Sequence, residues 1–202
     1  MKNKAILAVG LGNPEGKYFN TYHNIGFLCA ERLAQELGVE FKKKGNQLIA
    51  KCDFGFILKP LTYMNLSGQA VQAVIRKYKI EPENIIVFLD DLYIDKGNIR
   101  VTFGGGAGGH NGLRSINEII GTNQYIKIRI GIKPVDTKKS QSDYVLSKIS
   151  KDEGVCFDDA MKKAVEAALM VINGEGLPKV QGMFNATNSS PSACGLPQES
   201  RT

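Results

Sequence analysis

Ala5-Ile6-Leu7-Ala8-Val9-Gly10-Leu11-Gly12-Asn13-Pro14, running on through Tyr18 to His23-Asn24-Ile25-Gly26, is the stretch that decides the fold. Its first five residues form a continuous apolar run, as in a strand buried on both faces. The run stops in a loop that carries glycines, an amide, an aromatic ring and one of only two histidines in the chain. Loops at the ends of buried strands are where α/β proteins assemble their sites.

The rest of the chain repeats that strand-then-helix rhythm. Apolar positions Ile25, Leu28, Cys29, Leu33 and Leu37 predict a helix over 22–37, closed by Gly38. Lys42-Lys43-Lys44-Gly45-Asn46 reads as a polar turn and a solvated face. Residues 47–52 and 54–59 read as a hairpin around Asp53, closed by Pro60. A helix follows Thr62-Tyr63-Met64-Asn65-Leu66-Ser67-Gly68, with Ser67 as its expected cap. The apolar run 85–89 has the character of a central parallel strand and ends in Asp90-Asp91. Residues 98–103 alternate as a strand does, a glycine-rich tract reaches His110-Asn111-Gly112, and a short helix over 113–120 leads to a strand over 127–132. Residues 133–142 read as loop, and 156–172 as a strongly amphipathic helix. The alternation predicts one α/β domain, residues 1–185, with a mixed, mostly parallel twisted sheet flanked by helices. Composition over 186–202 predicts a disordered tail.

With 202 residues, 43% of them hydrophobic, the chain can bury one substantial core. It holds no apolar run of the ~20 residues that span a bilayer. The N-terminus lacks the apolar region and cleavage site of a signal peptide, which predicts a cytoplasmic protein without membrane partners. Four scattered cysteines show no metal-ligand spacing, so no structural zinc is expected. The net charge is +6, and the whole excess falls in residues 1–132, which suits a polyanionic partner such as nucleic acid.

Several familiar motifs fail on spacing. After Gly10-x-Gly12 the next glycine, Gly16, comes one residue too late for a dinucleotide fingerprint, and Pro14 intrudes. Gly104 and Gly109 are spaced as in a phosphate loop, but His110-Asn111 stands where Lys-Ser/Thr is required, so a nucleotide kinase lacks its lysine. No serine elbow is present. What survives is a set of strand-end amides, Asn13, Asn65 and Asn111, with His23 and Asp90. A histidine oriented by a carboxylate is a general base, and side-chain amides can donate to an oxyanion. The chemistry expected is water attack on an activated carbonyl, with no metal, cofactor or covalent intermediate. Either histidine could be the base; His110 sits in a glycine tract that is hard to hold still, which favours His23 and leaves His110 as a substrate contact.

Taken together, Gly10-Leu11-Gly12-Asn13-Pro14, Tyr18, His23-Asn24-Ile25-Gly26, Tyr63-Met64-Asn65-Leu66-Ser67-Gly68, Asp90-Asp91-Leu92, the tract 104–113 and Arg129-Ile130-Gly131-Ile132 resemble the bacterial peptidyl-tRNA hydrolases over roughly residues 4–184. The resemblance implies a monomeric enzyme that hydrolyses the ester between a peptide and the 3′ ribose of tRNA, freeing the tRNA for reuse. It implies His23 as the base that activates water and Asp90 as its orienting partner. Asn13 would distinguish blocked from free aminoacyl groups. Tyr18, Tyr63, Asn65 and Asn111 would contact substrate, with Met64 and His110 beside them, and Arg100 and Arg129 would take a tRNA phosphate. The segment after Lys133 would cover the cleft. Thr102 departs from the pattern, standing where a lysine often holds phosphate. A non-catalytic RNA-binding relative on the same fold is disfavoured because His23, Asp90 and all three asparagines are present.

Overall fold

The computed structural model describes residues 4–134 and 138–185. In chain order the elements are β1 (Ile6–Gly10), α1 (Ile25–Glu36), β2 (Lys42–Lys43), β3 (Gln47–Cys52), β4 (Gly55–Pro60), α2 (Ser67–Tyr78), β5 (Ile85–Asp91), β6 (Ile99–Phe103), α3 (Asn111–Ile120), β7 (Ile126–Gly131), α4 (Gln141–Val145), α5 (Gly154–Ile172) and α6 (Leu177–Phe184). The strands form one sheet in the order β2-β3-β4-β1-β5-β7-β6. The four central strands β4, β1, β5 and β7 run parallel, and the outer pairings are antiparallel.

β5 shows why this sheet needs helices on both faces. Its residues alternate between two cores. Ile86 and Phe88 pack with Cys29, Leu33, Phe157 and Ala164 of α1 and α5. Ile85, Val87 and Leu89 pack with Val71, Val74, Leu113 and Ile116 of α2 and α3. Phe88 is fully buried, and deleting a ring at such a position costs about 3–5 kcal/mol.

The chain leaves β1 for α1 on one face and leaves the neighbouring β4 for α2 on the other. That divergence opens a crevice beyond the carboxyl ends of the strands. α1 comes very close there: a Cβ on Gly26 would lie 2.4 Å from the Phe88 carbonyl oxygen and 2.5 Å from that of Leu11. The glycines of the first loop thus serve helix–sheet contact, since a Cβ on Gly10 would likewise meet the Gly26 carbonyl at 2.2 Å.

The far edge of the sheet is closed by side chains. Asn185 Oδ1 accepts from the Val101 N–H at 2.7 Å, and Asn185 Nδ2 donates to the Val101 carbonyl at 2.8 Å. Gln181 of α6 adds a second donor to that carbonyl. These amides occupy groups on β6 that would otherwise be open to another strand.

The helix expected over 22–37 is a single 3-10 turn, Tyr22–Asn24, followed by α1. The lysine turn contains β2, paired with β3. Ser67 does not cap α2; its hydroxyl donates back to the Met64 carbonyl at 2.8 Å. The expected tail lies outside the described residues. Among the described residues, no helix is long and apolar enough to cross a membrane.

Candidate active site

The loop after β1 is locked by two asparagines. The Asn13 N–H donates to Asn24 Oδ1 at 2.9 Å, and Asn24 Nδ2 returns a bond to the Asn13 carbonyl at 3.0 Å. Asn13 Oδ1 is also engaged, accepting from the Met64 N–H at 2.9 Å. Asn13 therefore keeps only its amide NH2 for a ligand. Asn24 was legible as the residue after His23, yet its role depends on a contact eleven residues back.

The 3-10 turn delivers His23 to the end of β5, where its Nδ1 lies 2.8 Å from Asp90 Oδ1. The same oxygen is 3.1 Å from Nε2 of His110. His110 is not loose. It caps α3, its Nδ1 accepting from the N–H groups of Gly112 at 3.1 Å and Leu113 at 3.4 Å. The glycines before it, with φ of 59° at Gly108 and 81° at Gly109, let the chain turn sharply enough to place that cap.

This bonding assigns the tautomers. An Nδ1 that accepts backbone N–H groups carries no proton, so His110 is protonated at Nε2 and donates to Asp90. His23 donates to Asp90 from Nδ1, which leaves its Nε2 lone pair unengaged. Both rings touch one carboxylate, but among the described residues only His23 has a nitrogen without a partner.

The electrostatics follow the same asymmetry. Burial would raise the Asp90 carboxyl, but His23 and His110 outweigh it and hold the group far below its ordinary range. Burial would lower His23, and the Asp90 charge and hydrogen bond overcome it, raising His23 above 6.5. In His110 burial prevails, with His23 and Arg129 assisting, and the ring is pushed down despite Asp90.

The crevice has a volume of about 960 Å³. The structure brings Asn13, His23, Tyr63, Met64, Asn65, Asp90, His110, Asn111 and Arg129 to its walls. Tyr18 and Arg100 are not among the lining residues. The half-buried Tyr18 ring lies 4.9 Å from Lys17 Nζ, and Arg100 is an exposed residue of β6 opposite Arg129. Arg129 is engaged, donating to Asp91 at 2.9 Å and to the Gly106 carbonyl at 3.0 Å. The Tyr63 hydroxyl donates to Glu15 at the rim.

Several wall residues escaped the sequence reading. Arg114 lies one turn into α3, lines the crevice, and has no carboxylate partner among the described residues. Gln141, Ser142, Val145 and Leu146 bring α4 and the residue after it to the opposite wall. The signal for α4 was Ser140-x-x-Asp143: Ser140 Oγ accepts from the Asp143 N–H at 3.2 Å.

His23, Asp90 and His110 have donor atoms within 4.8 Å of one another, the one such trio among the described residues. Their bonding does not suit a metal. His110 would have to give up Asp90 and move its proton to Nδ1, where two backbone N–H groups already point.

A parallel-sheet crevice holding a carboxylate-oriented imidazole and amide side chains on its walls has the groups that a hydrolytic enzyme uses. Comparison with known proteins places it further. The family model for peptidyl-tRNA hydrolase matches residues 7–192. The chain is 41% identical to a peptidyl-tRNA hydrolase of Sulfurihydrogenibium sp. over 186 residues, covering 90% of this chain and 97% of that protein. It is 40% identical to one from Thermus thermophilus, with coverage of 92% and 98%. The crystal structure of peptidyl-tRNA hydrolase from Acinetobacter baumannii superposes with a TM-score of 0.84 at 36% identity, covering 92% of this chain and 96% of that one. The chain belongs to the peptidyl-tRNA hydrolase family and is a hydrolase of that kind, with the α/β fold the sequence predicts.

Proposed function

We propose that the chain cleaves the ester between an N-blocked peptide and the 3′ ribose of tRNA, returning the tRNA to translation, with His23 as general base and Asp90 as its orienting partner. The observation that carries this reading is the free Nε2 of His23. That nitrogen takes a proton from water, and the hydroxide attacks the ester carbonyl. Asp90 stabilises the imidazolium that forms. The tetrahedral intermediate collapses by expelling the ribose 3′ oxygen, which recovers the proton from His23. Amide donors on the crevice walls, Asn65 and Asn111 among them, suit an oxyanion, and one well-placed donor is worth about 3 kcal/mol in the transition state.

Asn13 accounts for selectivity toward blocked substrates. Its free NH2 complements the carbonyl oxygen of an acylated amino group. It opposes the N–H donors of a free ammonium. Arg114 and Arg129 line the crevice and supply positive charge for the nucleic acid, with Arg100 opposite Arg129 across the β6–β7 pair and Tyr18 in the loop after β1 as further contacts. The crevice is complete within one chain, which suits a monomer. The catalytic unit we propose ends at Asn185, whose amide closes the edge of β6.

The test is peptide release from N-acetylaminoacyl-tRNA and amino-acid release from free aminoacyl-tRNA. Wild type is expected to act on the first and spare the second. His23→Ala is expected to lose activity, and full activity in it would remove the base assignment. Asn13→Asp turns the free donor into an acceptor, so the preference for blocked substrate is expected to fall at least about tenfold, the scale of one hydrogen bond reversed.

A further inference from the structure

Through Tyr22, the residue before His23, the catalytic turn joins a buried polar cluster that the hydrolytic steps do not use. Its centre is Glu153, at the N-terminus of α5 and 9% exposed. One carboxylate oxygen accepts from the Tyr22 hydroxyl at 2.7 Å, the Ser150 hydroxyl at 2.8 Å and the Ser150 N–H at 3.1 Å. The other is paired with Lys96, from the connection between β5 and β6. Lys96 Nζ also lies 5.4 Å from the centre of the Tyr22 ring and 5.8 Å from that of Tyr144. The two rings stack with centroids 4.9 Å apart and planes 20° from parallel.

Each of these tyrosines holds a piece of the active site. Tyr22 directly precedes His23 in the same 3-10 turn. Tyr144 belongs to α4, which lines the opposite wall of the crevice, and its hydroxyl is tied to the Ile132 carbonyl at 2.9 Å. The backbones are joined as well. The Tyr22 N–H donates to the Ser147 carbonyl at 3.2 Å, and the Ile149 N–H donates to the Asn20 carbonyl at 2.9 Å. Taking Lys96 and Glu153 out of water offsets much of their mutual attraction, so the pair is better suited to fixing one arrangement than to stabilising the fold.

We propose that Glu153 is a positioning residue for the hydrolysis: it holds Tyr22, and through the Tyr22–Tyr144 stack the wall helix α4, in the placement that aims His23 at Asp90. The surroundings favour the charged forms of both members of the pair. Burial opposes the Glu153 carboxylate, but Lys96, Tyr22 and Ser150 hold it down to about 2. Burial likewise opposes the Lys96 ammonium, and Glu153 and Tyr144 keep it raised. The cluster is therefore a fixed brace and not a pH switch.

The proposal rests on the reading of His23 as base, and its test has a readout independent of turnover. The chain has only two histidines, so its imidazole NMR spectrum contains two rings. The groups that bear on the His23 midpoint are Asp90 from β5 and His110 at the start of α3, with Asp91, Arg114 and Arg129 around the same crevice. Glu153→Ala and Tyr22→Phe are expected to lower the His23 midpoint toward its ordinary value of 6.5, because the Asp90 contact that raises it loosens. They are expected to reduce kcat about tenfold, the scale of a small misplacement of a catalytic group. Glu153→Gln keeps an acceptor for Tyr22 and is expected to recover much of both. Tyr22→Phe removes one oxygen and retains the ring stack, so it stays informative where Glu153→Ala unfolds. A His23 midpoint unchanged in folded Glu153→Ala and Tyr22→Phe overturns the proposal. Full activity in His23→Ala sinks the base assignment instead and leaves the NMR result standing.

Discussion

Two histidines share one oxygen of Asp90, and the difference between them is where their second nitrogen goes. His23 arrives on a 3-10 turn locked by the Asn13–Asn24 pair and presents its free nitrogen to the crevice. His110 arrives on a glycine-rich loop and spends its second nitrogen capping a helix. Glycines upstream do not make a residue mobile when its side chain closes three hydrogen bonds. One carboxylate thus orients a ring with a spare lone pair, which suits the base proposed above, and holds as a structural strut the ring without one. The opposite pKa directions of the two rings express the same division.

Removing His23 is the most severe challenge to that division. His23→Ala is expected to lower kcat by about 10²–10⁴, the usual contribution of a general base, and to change peptidyl-tRNA affinity little. Asp90→Asn is expected to cost somewhat less and to move the pH profile. Only the neutral His23 ring accepts a proton, so wild-type kcat should rise with pH through a midpoint above 6.5. Asp90 is what raises that midpoint, so the limb should shift to lower pH in Asp90→Asn. The same raised value means that protonated His23 stabilises the fold below pH 6.5, a contribution lost as pH rises through the folded midpoint. A limb that stays in place would break the pairing.

His110→Ala should behave as the loss of a strut. Removing an N-cap acceptor costs about 1 kcal/mol, and a modest fall in kcat, near tenfold, is expected as Asp90 loses one of its two partners. His110→Asn restores a good cap and should recover melting temperature without recovering activity. Equal losses from His23→Ala and His110→Ala would abolish the distinction. The gentlest test is salt. Affinity for tRNA is expected to fall between about 50 and 200 mM salt as phosphate contacts release counterions, and it should do so equally in both histidine variants.

The legible parts of this chain were those that local pattern dictates. The apolar run of β5, the periodic helix α5 and the strand-helix alternation all follow from burying apolar side chains against a sheet. α4 and α6 were missed although each carries a start signal, Ser140-x-x-Asp143 for the first and Pro178 in the first turn of the second. Both are short, and a few residues of weak amphipathic pattern stand out poorly from loop.

The sequence by itself determined the residue types at the strand ends: histidine, aspartate and the three asparagines, in an order specific enough to indicate their chemistry. Only the tertiary structure decided which histidine keeps a free nitrogen, that Asn13 offers a donor and no acceptor, and that Arg114 and α4 join the crevice walls. It also decided that Glu153, 130 residues from His23 in sequence, is bonded to the tyrosine that precedes it. The physical reason is that hydrogen-bonding capacity is a property of the residue, while its allocation depends on which partners the folded chain brings within about 3 Å.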